Sequence, residues 1–369
     1  MQRFHPVRPL LAGTLLAALC LMPSAALTAA PRQEQTAPHQ EQAAPRQEQS
    51  VPLQELAAYQ NASARLSALG FDKERADVLW SRVGPGLADK LDSGELSRPA
   101  LEYLALSYCH TDRLERYLAY GQANPALTAA EVVTWVNIGL DAPFYTGVQE
   151  IEDPDALDVL VNKYYVLPSD YAPELVRLGA QYGSGSLAPA AAEAFAAMAD
   201  AARADGISLR SVSAYRSYQT QTGLYQRYTR QNGQALADTF SARPGHSEHQ
   251  TGLALDINTA RIPAHFERTP AYAWLQEHCA RFGFLLRYPQ DKTAITGYCF
   301  EPWHYRYVGQ EIASACMEGG LTYEEYLARR PVPGEYSVPV LAGWGAVGNE
   351  ADRRLLYVPG PGALFTVAG

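Results

Sequence analysis

The chain has 369 residues, 47% hydrophobic and 19% charged, enough apolar material for one large or two to three ordinary domains and too much for a disordered or fibrous protein. With 30 Lys+Arg against 39 Asp+Glu the net charge is −9, which argues against a general nucleic-acid-binding surface or a coat for anionic membranes. Any anion bound here must be met by a few placed cations.

Residues 1–30 carry Arg3 and Arg8, then an apolar run from Leu10 to Met22, then small residues as far as Ala30. That pattern predicts a secretory signal peptide cut between about Ala26 and Ala30, because the run is short for a bilayer span; an uncleaved anchor is the alternative. Cys20 follows Leu19, where a lipoprotein site wants a small residue, so lipidation is disfavoured. Residues 31–52 repeat with period seven, as PRQEQTA, PHQEQAA and PRQEQSV. A proline in every repeat forbids a continuous helix, so this is a polar, partly polyproline-like linker.

From Leu53 to about residue 150 the apolar spacing predicts a helical module, with segments such as Pro99–Leu106, Arg113–Tyr120 and Ala129–Ile138. It carries no catalytic cluster; His110 and Cys109 lack the further ligands of a zinc site. Residues 151–320 change texture. Asp158–Tyr165 reads as a β-rich run, Ala188–Ala204 as an alanine-rich helix, Ile207–Ala214 as a strand and Tyr218–Arg230 as a helix. A loop over 242–251 leads to a strand Leu253–Asn258, a helix Tyr272–Phe282, a strand Gly283–Tyr288 and a last strand near Trp303–Val308. Helices and strands mix without a strict βαβ beat, which predicts an α+β domain around an antiparallel sheet flanked by helices. Residues 321–369 read as a helix, Tyr323–Arg330, and a small β appendage with strands Tyr336–Leu341 and Leu355–Val358 and a Gly-Pro-Gly hairpin turn at 360–362.

Two stretches concentrate the chemistry: PGHSEHQTGLALD over 244–256 and EPWHYR over 301–306. Together they offer His249, Asp256 and His304 as metal ligands. Two imidazoles and one carboxylate leave a fourth tetrahedral position open, as in catalytic rather than structural zinc sites. Glu301 is then the free carboxylate that takes a proton from water and passes it to a leaving amine. In a strand over 253–258, Ala254, Asp256 and Asn258 share one face while Leu253, Leu255 and Ile257 pack inward. Asp256 among such neighbours is costly to bury without a cation or several donors. Glu301 and His304 are three apart, so Pro302 must bend the chain if both serve one site. His246 and Glu248 read as a loop cap or a solvent-facing pair. A second constellation, SAYRSYQTQ over 213–221, places Arg216 at a strand end, where a guanidinium meets a carboxylate. Ser217, Gln221 and Ser247 are polar candidates for hydrogen bonds to a substrate, and Trp303 is a further contact. Cys109, Cys279, Cys299 and Cys316 permit up to two disulfides, with no pairing preferred.

The motifs Ser247-x-His249-x-x-Gly252-x-Ala254-x-Asp256 and Glu301-x-Trp303-His304, supported by Tyr215-Arg216-Ser217 and Val161-Asn162-Lys163-Tyr164, resemble those of VanY-type zinc D-alanyl-D-alanine carboxypeptidases, whose family also holds VanX-like D,D-dipeptidases. The resemblance spans roughly residues 157–309. It implies the fold shared with lysostaphin-like peptidases and the hedgehog signalling domain. It also implies one Zn2+ on His249, Asp256 and His304, Glu301 as general acid/base, and Arg216 on the substrate's terminal carboxylate or the developing oxyanion. The function so implied is an exported hydrolase that removes the terminal D-alanine from peptidoglycan stem peptides, with no nucleic-acid partner and a membrane contact only through an uncleaved N-terminal segment. An endopeptidase or dipeptidase on the same fold, or a non-catalytic wall-binding module, are the competing readings.

Overall fold

The computed structural model describes residues 52–341 and 355–358. The signal-like segment, the heptads and the Gly-Pro-Gly at 360–362 lie outside the described residues.

Six helices form the first layer: α1 (Leu53–Ala68), α2 (Lys73–Val83), α3 (Leu87–Asp92), α4 (Arg98–Leu104), α5 (Leu114–Ala123) and α6 (Ala129–Ile138). Their ends follow capping chemistry. Asp72 accepts from the Arg75 amide at the start of α2, and Thr128 with Glu131 makes a capping box on α6, which stops at Gly139 in the left-handed region (φ 102°). Their apolar faces meet in one core around Leu66, Leu79, Trp80, Leu101, Tyr117 and Val136.

The second layer is built on a four-stranded antiparallel sheet. Helix α7 (Pro189–Ala204) precedes β1 (Arg210–Ser213), and α8 (Tyr218–Asn232) follows it. Then come β2 (Ala254–Asn258), α9 (Pro270–His278), β3 (Phe284–Leu286) and β4 (His304–Tyr307), in the spatial order β1-β2-β4-β3. Ala191, Phe195, Met198 and Ala202 recur at helical spacing along α7 and pack with Leu255, Ile257, Phe284 and Tyr305 from the inner face of the sheet. The register puts Asp256 of β2 opposite Ser213 of β1 on one side and His304 of β4 on the other, with a β-bulge between Ser211 and Ser213. The fold is the expected mixture of helices with an antiparallel sheet.

Several elements differ from the sequence reading. The stretch 158–165 is not a strand: only Tyr165–Val166 pairs, in parallel, with Gln149–Glu150. The backbone before it runs as a loop with a turn at 157–158 and bends at 162–164, in which Arg306 donates to the Leu157 and Val159 carbonyls and the Tyr323 hydroxyl to that of Asp158, so these groups have side-chain rather than ladder partners. Helix α9 ends at His278 and continues as a 3-10 turn, Cys279–Phe282. A helix the sequence reading omitted, α10 (Gln310–Gly319), precedes α11 (Tyr323–Ala328). The tail strands β5 (Val338–Leu341) and β6 (Leu355–Val358) pair antiparallel. The tail docks on the helical layer: the Trp80 indole donates to the Ser337 carbonyl at 3.1 Å, and Val338 joins its core. Helix α11 does the same, through Asn137 donating to the Ala328 carbonyl and Arg329 to the Thr134 hydroxyl. Cys109, Cys279, Cys299 and Cys316 are all free thiols, and only Cys299 is exposed. Among the described residues no helix is long and apolar enough to cross a membrane.

Candidate active site

The outer face of the sheet, opposite α7, carries a cavity of about 370 Å³ lined by Arg216, His249, Asp256, Glu301, Trp303 and His304. Three local devices bring these residues together. His249 rides on a 3-10 turn, Glu248–Thr251, which is ended by Gly252 at φ 70°; a Cβ there would lie 3.0 Å from the Ala188 amide nitrogen, so the tight return into β2 needs glycine. Asp256 and His304 are direct cross-strand partners and share a face. Glu301 reaches the same place because residues 301–304 form a turn, closed by the His304 amide donating to the Glu301 carbonyl at 3.1 Å. That turn supplies the bend expected at Pro302.

The ring nitrogens have fixed duties. His249 Nδ1 lies 2.7 Å from the Ala214 carbonyl and must donate to it, leaving Nε2 aimed at Asp256 Oδ1, 3.5 Å away. His304 points Nδ1 at the same oxygen, 3.4 Å away. Asp256 Oδ1 is buried and accepts no hydrogen bond. The three donor atoms lie within 4.8 Å of one another. Zinc bonds of ~2.0–2.1 Å in a tetrahedron separate ligand atoms by roughly 3.3 Å, close to the two distances found. An unpartnered carboxylate oxygen facing two imidazoles is costly alone and natural around a cation, so the residues present fit the metal.

The electrostatics follow from burial and neighbours. Burial would raise the Asp256 carboxyl, but the two imidazoles, His249 foremost, hold it well below the usual carboxylate range. Glu301 has less compensation. Its Oε2 lies 3.7 Å from His304 Nδ1, yet burial pushes it up to about 7, aided by the Asp256 charge. A buried carboxyl poised near neutrality suits a group that must both accept and return a proton.

Residues 184–310 match the family described as VanY, D-alanyl-D-alanine carboxypeptidase. YodJ of Bacillus subtilis (strain 168), a protein assigned as a carboxypeptidase, is 38% identical over 194 residues, covering 50% of this chain and 71% of that protein. The chain belongs to the VanY family. A D-alanyl-D-alanine carboxypeptidase of Enterococcus faecalis (strain ATCC 700802 / V583) is 42% identical over 179 residues, 46% of this chain and 65% of that protein. Among solved structures, the vancomycin-resistance D,D-pentapeptidase VanY in complex with Zn(II) is 39% identical with a TM-score of 0.42, covering 46% of this chain and 98% of that one.

In this VanY-family chain the remaining sequence candidates divide. Arg216 flanks the His249–Asp256–His304 cluster, its Nη2 4.0 Å from Asp256 Oδ2 and 3.1 Å from Ser213 Oγ. Ser247 and Trp303 line the cavity. Gln221, expected to touch substrate, is buried instead, with its Oε1 accepting from Arg216 and its Nε2 donating to the Ala242 carbonyl. Ser217, also expected there, caps α8 by accepting from the Thr220 amide. His246 and Glu248 are buried rather than solvent-facing. His246 Nδ1 is fixed at 2.7 Å from the Asn162 carbonyl. Glu248, read from the sequence as a loop cap or half of a solvent-facing pair, pairs instead with Arg287, Arg306 and His304. The available signal was Arg287, directly after the apolar strand Phe284–Leu286, and Arg306 in the aromatic strand His304–Tyr307, two lone cations that required a buried anion.

Proposed function

We propose that the chain is an exported zinc D,D-carboxypeptidase that releases the terminal D-alanine from peptidoglycan stem peptides. One observation carries the reading. Two imidazole nitrogens and an unpartnered Asp256 oxygen converge in an open cavity, with Glu301 poised near neutrality on one side and Arg216 on the other. The VanY family membership supports the substrate class.

His249, Asp256 and His304 would hold the zinc, which when bound acts as a Lewis acid on a carbonyl and makes water nucleophilic near neutral pH. Glu301 accepts a proton from the attacking water and delivers it to the departing D-alanine amine. Arg216 faces the cavity with a guanidinium already oriented by Gln221 and Ser213, and holds the substrate's terminal carboxylate in register with Glu301. The N-terminal segment 1–30 directs export, with cleavage between about Ala26 and Ala30, and residues 31–52 tether the folded part.

The test is incubation of the purified, zinc-loaded protein with a muramyl pentapeptide, followed by mass spectrometry. Loss of a single alanine is expected. Release of a dipeptide, or cleavage nearer the sugar, assigns the site to a dipeptidase or endopeptidase and overturns the reading.

A further inference from the structure

We propose that Glu248 is a positioning residue of the metal centre, which sets the ring orientation and tautomer of His304; this rests on the zinc reading above. Glu248 is fully buried on the turn that carries His249. Its two oxygens are used differently. Oε1 accepts from both Arg287 Nε, at 2.7 Å, and Arg306 Nη1, at 3.1 Å. Oε2 is left for one partner, His304 Nε2, at 3.2 Å.

The two guanidiniums are themselves clamped. Arg287 makes two further bonds to Glu324 on α11, at 2.8 and 2.6 Å. Arg306 donates to the Val159 carbonyl at 2.8 Å and the Leu157 carbonyl at 3.2 Å. A carboxylate so pinned has no freedom to leave His304. Its acceptor oxygen keeps a proton on Nε2, so in the neutral ring of the metal-bound protein the lone pair sits on Nδ1, the nitrogen that faces Asp256 Oδ1. His249 is fixed in the complementary sense by the Ala214 carbonyl on its Nδ1, so the two ligands enter through different nitrogens. Carboxylate partners of this kind orient a metal-bound imidazole and raise its basicity. The rival account is that Glu248 only neutralises two buried arginines.

Glu248→Gln and Glu324→Gln separate the two accounts, since each removes one carboxylate charge from Arg287 and only the first touches His304. Zinc affinity is measured by competition with a chromogenic chelator, alongside thermal unfolding. Both variants are expected to melt earlier than wild type. Zinc dissociation constants should rise 10- to 100-fold for Glu248→Gln and stay within about threefold of wild type for Glu324→Gln. The inference is overturned if Glu248→Gln binds zinc like wild type, or if Glu324→Gln weakens zinc by as much. Nitrogen-15 spectra of histidine-labelled, zinc-loaded wild type decide the point without any variant: a proton on His304 Nε2 and metal on Nδ1 are required, and the reverse pattern sinks it. Wild type that binds no zinc overturns the functional reading itself, whereas zinc bound with an unaffected Glu248→Gln overturns only the role of Glu248.

Discussion

Gln221 holds Arg216 at the cavity wall: its Oε1 accepts from Arg216 Nη1 at 2.8 Å while its Nε2 is tied to the Ala242 carbonyl at 2.6 Å. The amide is spent at both ends, so it acts through the arginine rather than on substrate. Gln221→Leu should raise KM for a pentapeptide with a free terminal carboxylate about tenfold, as expected for loss of one hydrogen bond to a charged group, with kcat changed far less. A C-terminally amidated substrate should be handled equally poorly by variant and wild type. Equal KM values for both proteins on the free acid would remove Gln221 from this role.

Glu301→Gln should abolish turnover by a factor of 10² or more while leaving zinc bound, because it removes the proton acceptor and none of the ligands. D-alanine release at the wild-type rate, with zinc still bound, would refute the assignment.

The same residue predicts how metal-free stability depends on pH. Unfolded, Glu301 loses its proton near 4.5; folded and without metal, burial keeps it protonated up to about 7. The folded state therefore binds the extra proton. Its contribution is fully present below about pH 4.5 and is lost as pH rises through 7, an effect on the order of 3 kcal/mol. Urea unfolding of metal-free wild type should show this decline relative to Glu301→Gln, and zinc should flatten it by favouring the carboxylate. Parallel pH profiles for the two proteins would contradict the prediction.

The local half of this site was legible in the sequence and the distant half was not. A carboxylate at 256 among Leu255 and Ile257, and a histidine three residues past a Glu-Pro bend, announce themselves within a few residues. The anchors of these ligands do not. Glu248 lies 39 residues from Arg287 and 58 from Arg306, and the Ala214 carbonyl that orients His249 is 35 residues away. The misread strand at 158–165 has the same origin. Its composition suits a ladder, but Arg306, 147 residues later, takes the Val159 carbonyl. Side-chain partners of this kind have no signature in a local window.

Zinc binding should expel a proton. In the metal-free protein burial works against a charged His304, but the Asp256 and Glu248 carboxylates facing its two ring nitrogens raise it to about 9, so at pH 7 the ring is an imidazolium and Nδ1 has no lone pair to offer. Ligation then displaces about one proton from this residue, and apparent zinc affinity should climb about tenfold per pH unit between pH 6 and 8. Calorimetry in buffers of different ionisation enthalpy measures the proton count, with Glu301→Gln used to remove the share of Glu301. Proton release near zero at pH 7 would contradict an imidazolium at His304.

The described part of the tail contributes to the helical layer. Val338 is buried in the core that holds Trp80, and the neighbouring Ser337 carbonyl satisfies the Trp80 indole. Val338→Ala removes two buried methyl groups and leaves a void, which should cost about 2 kcal/mol. Truncation after Arg330 should cost more, because it also strips the indole of its acceptor and exposes the ring. Trp80 lies far in sequence from the cavity residues, and among the described residues the core cluster that holds it contains none of them. Truncation is therefore expected to red-shift tryptophan fluorescence and lower the unfolding temperature while the metal ligands keep zinc at near wild-type affinity. Loss of zinc in step with the fluorescence change would show that the helical layer and the metal centre are one cooperative unit.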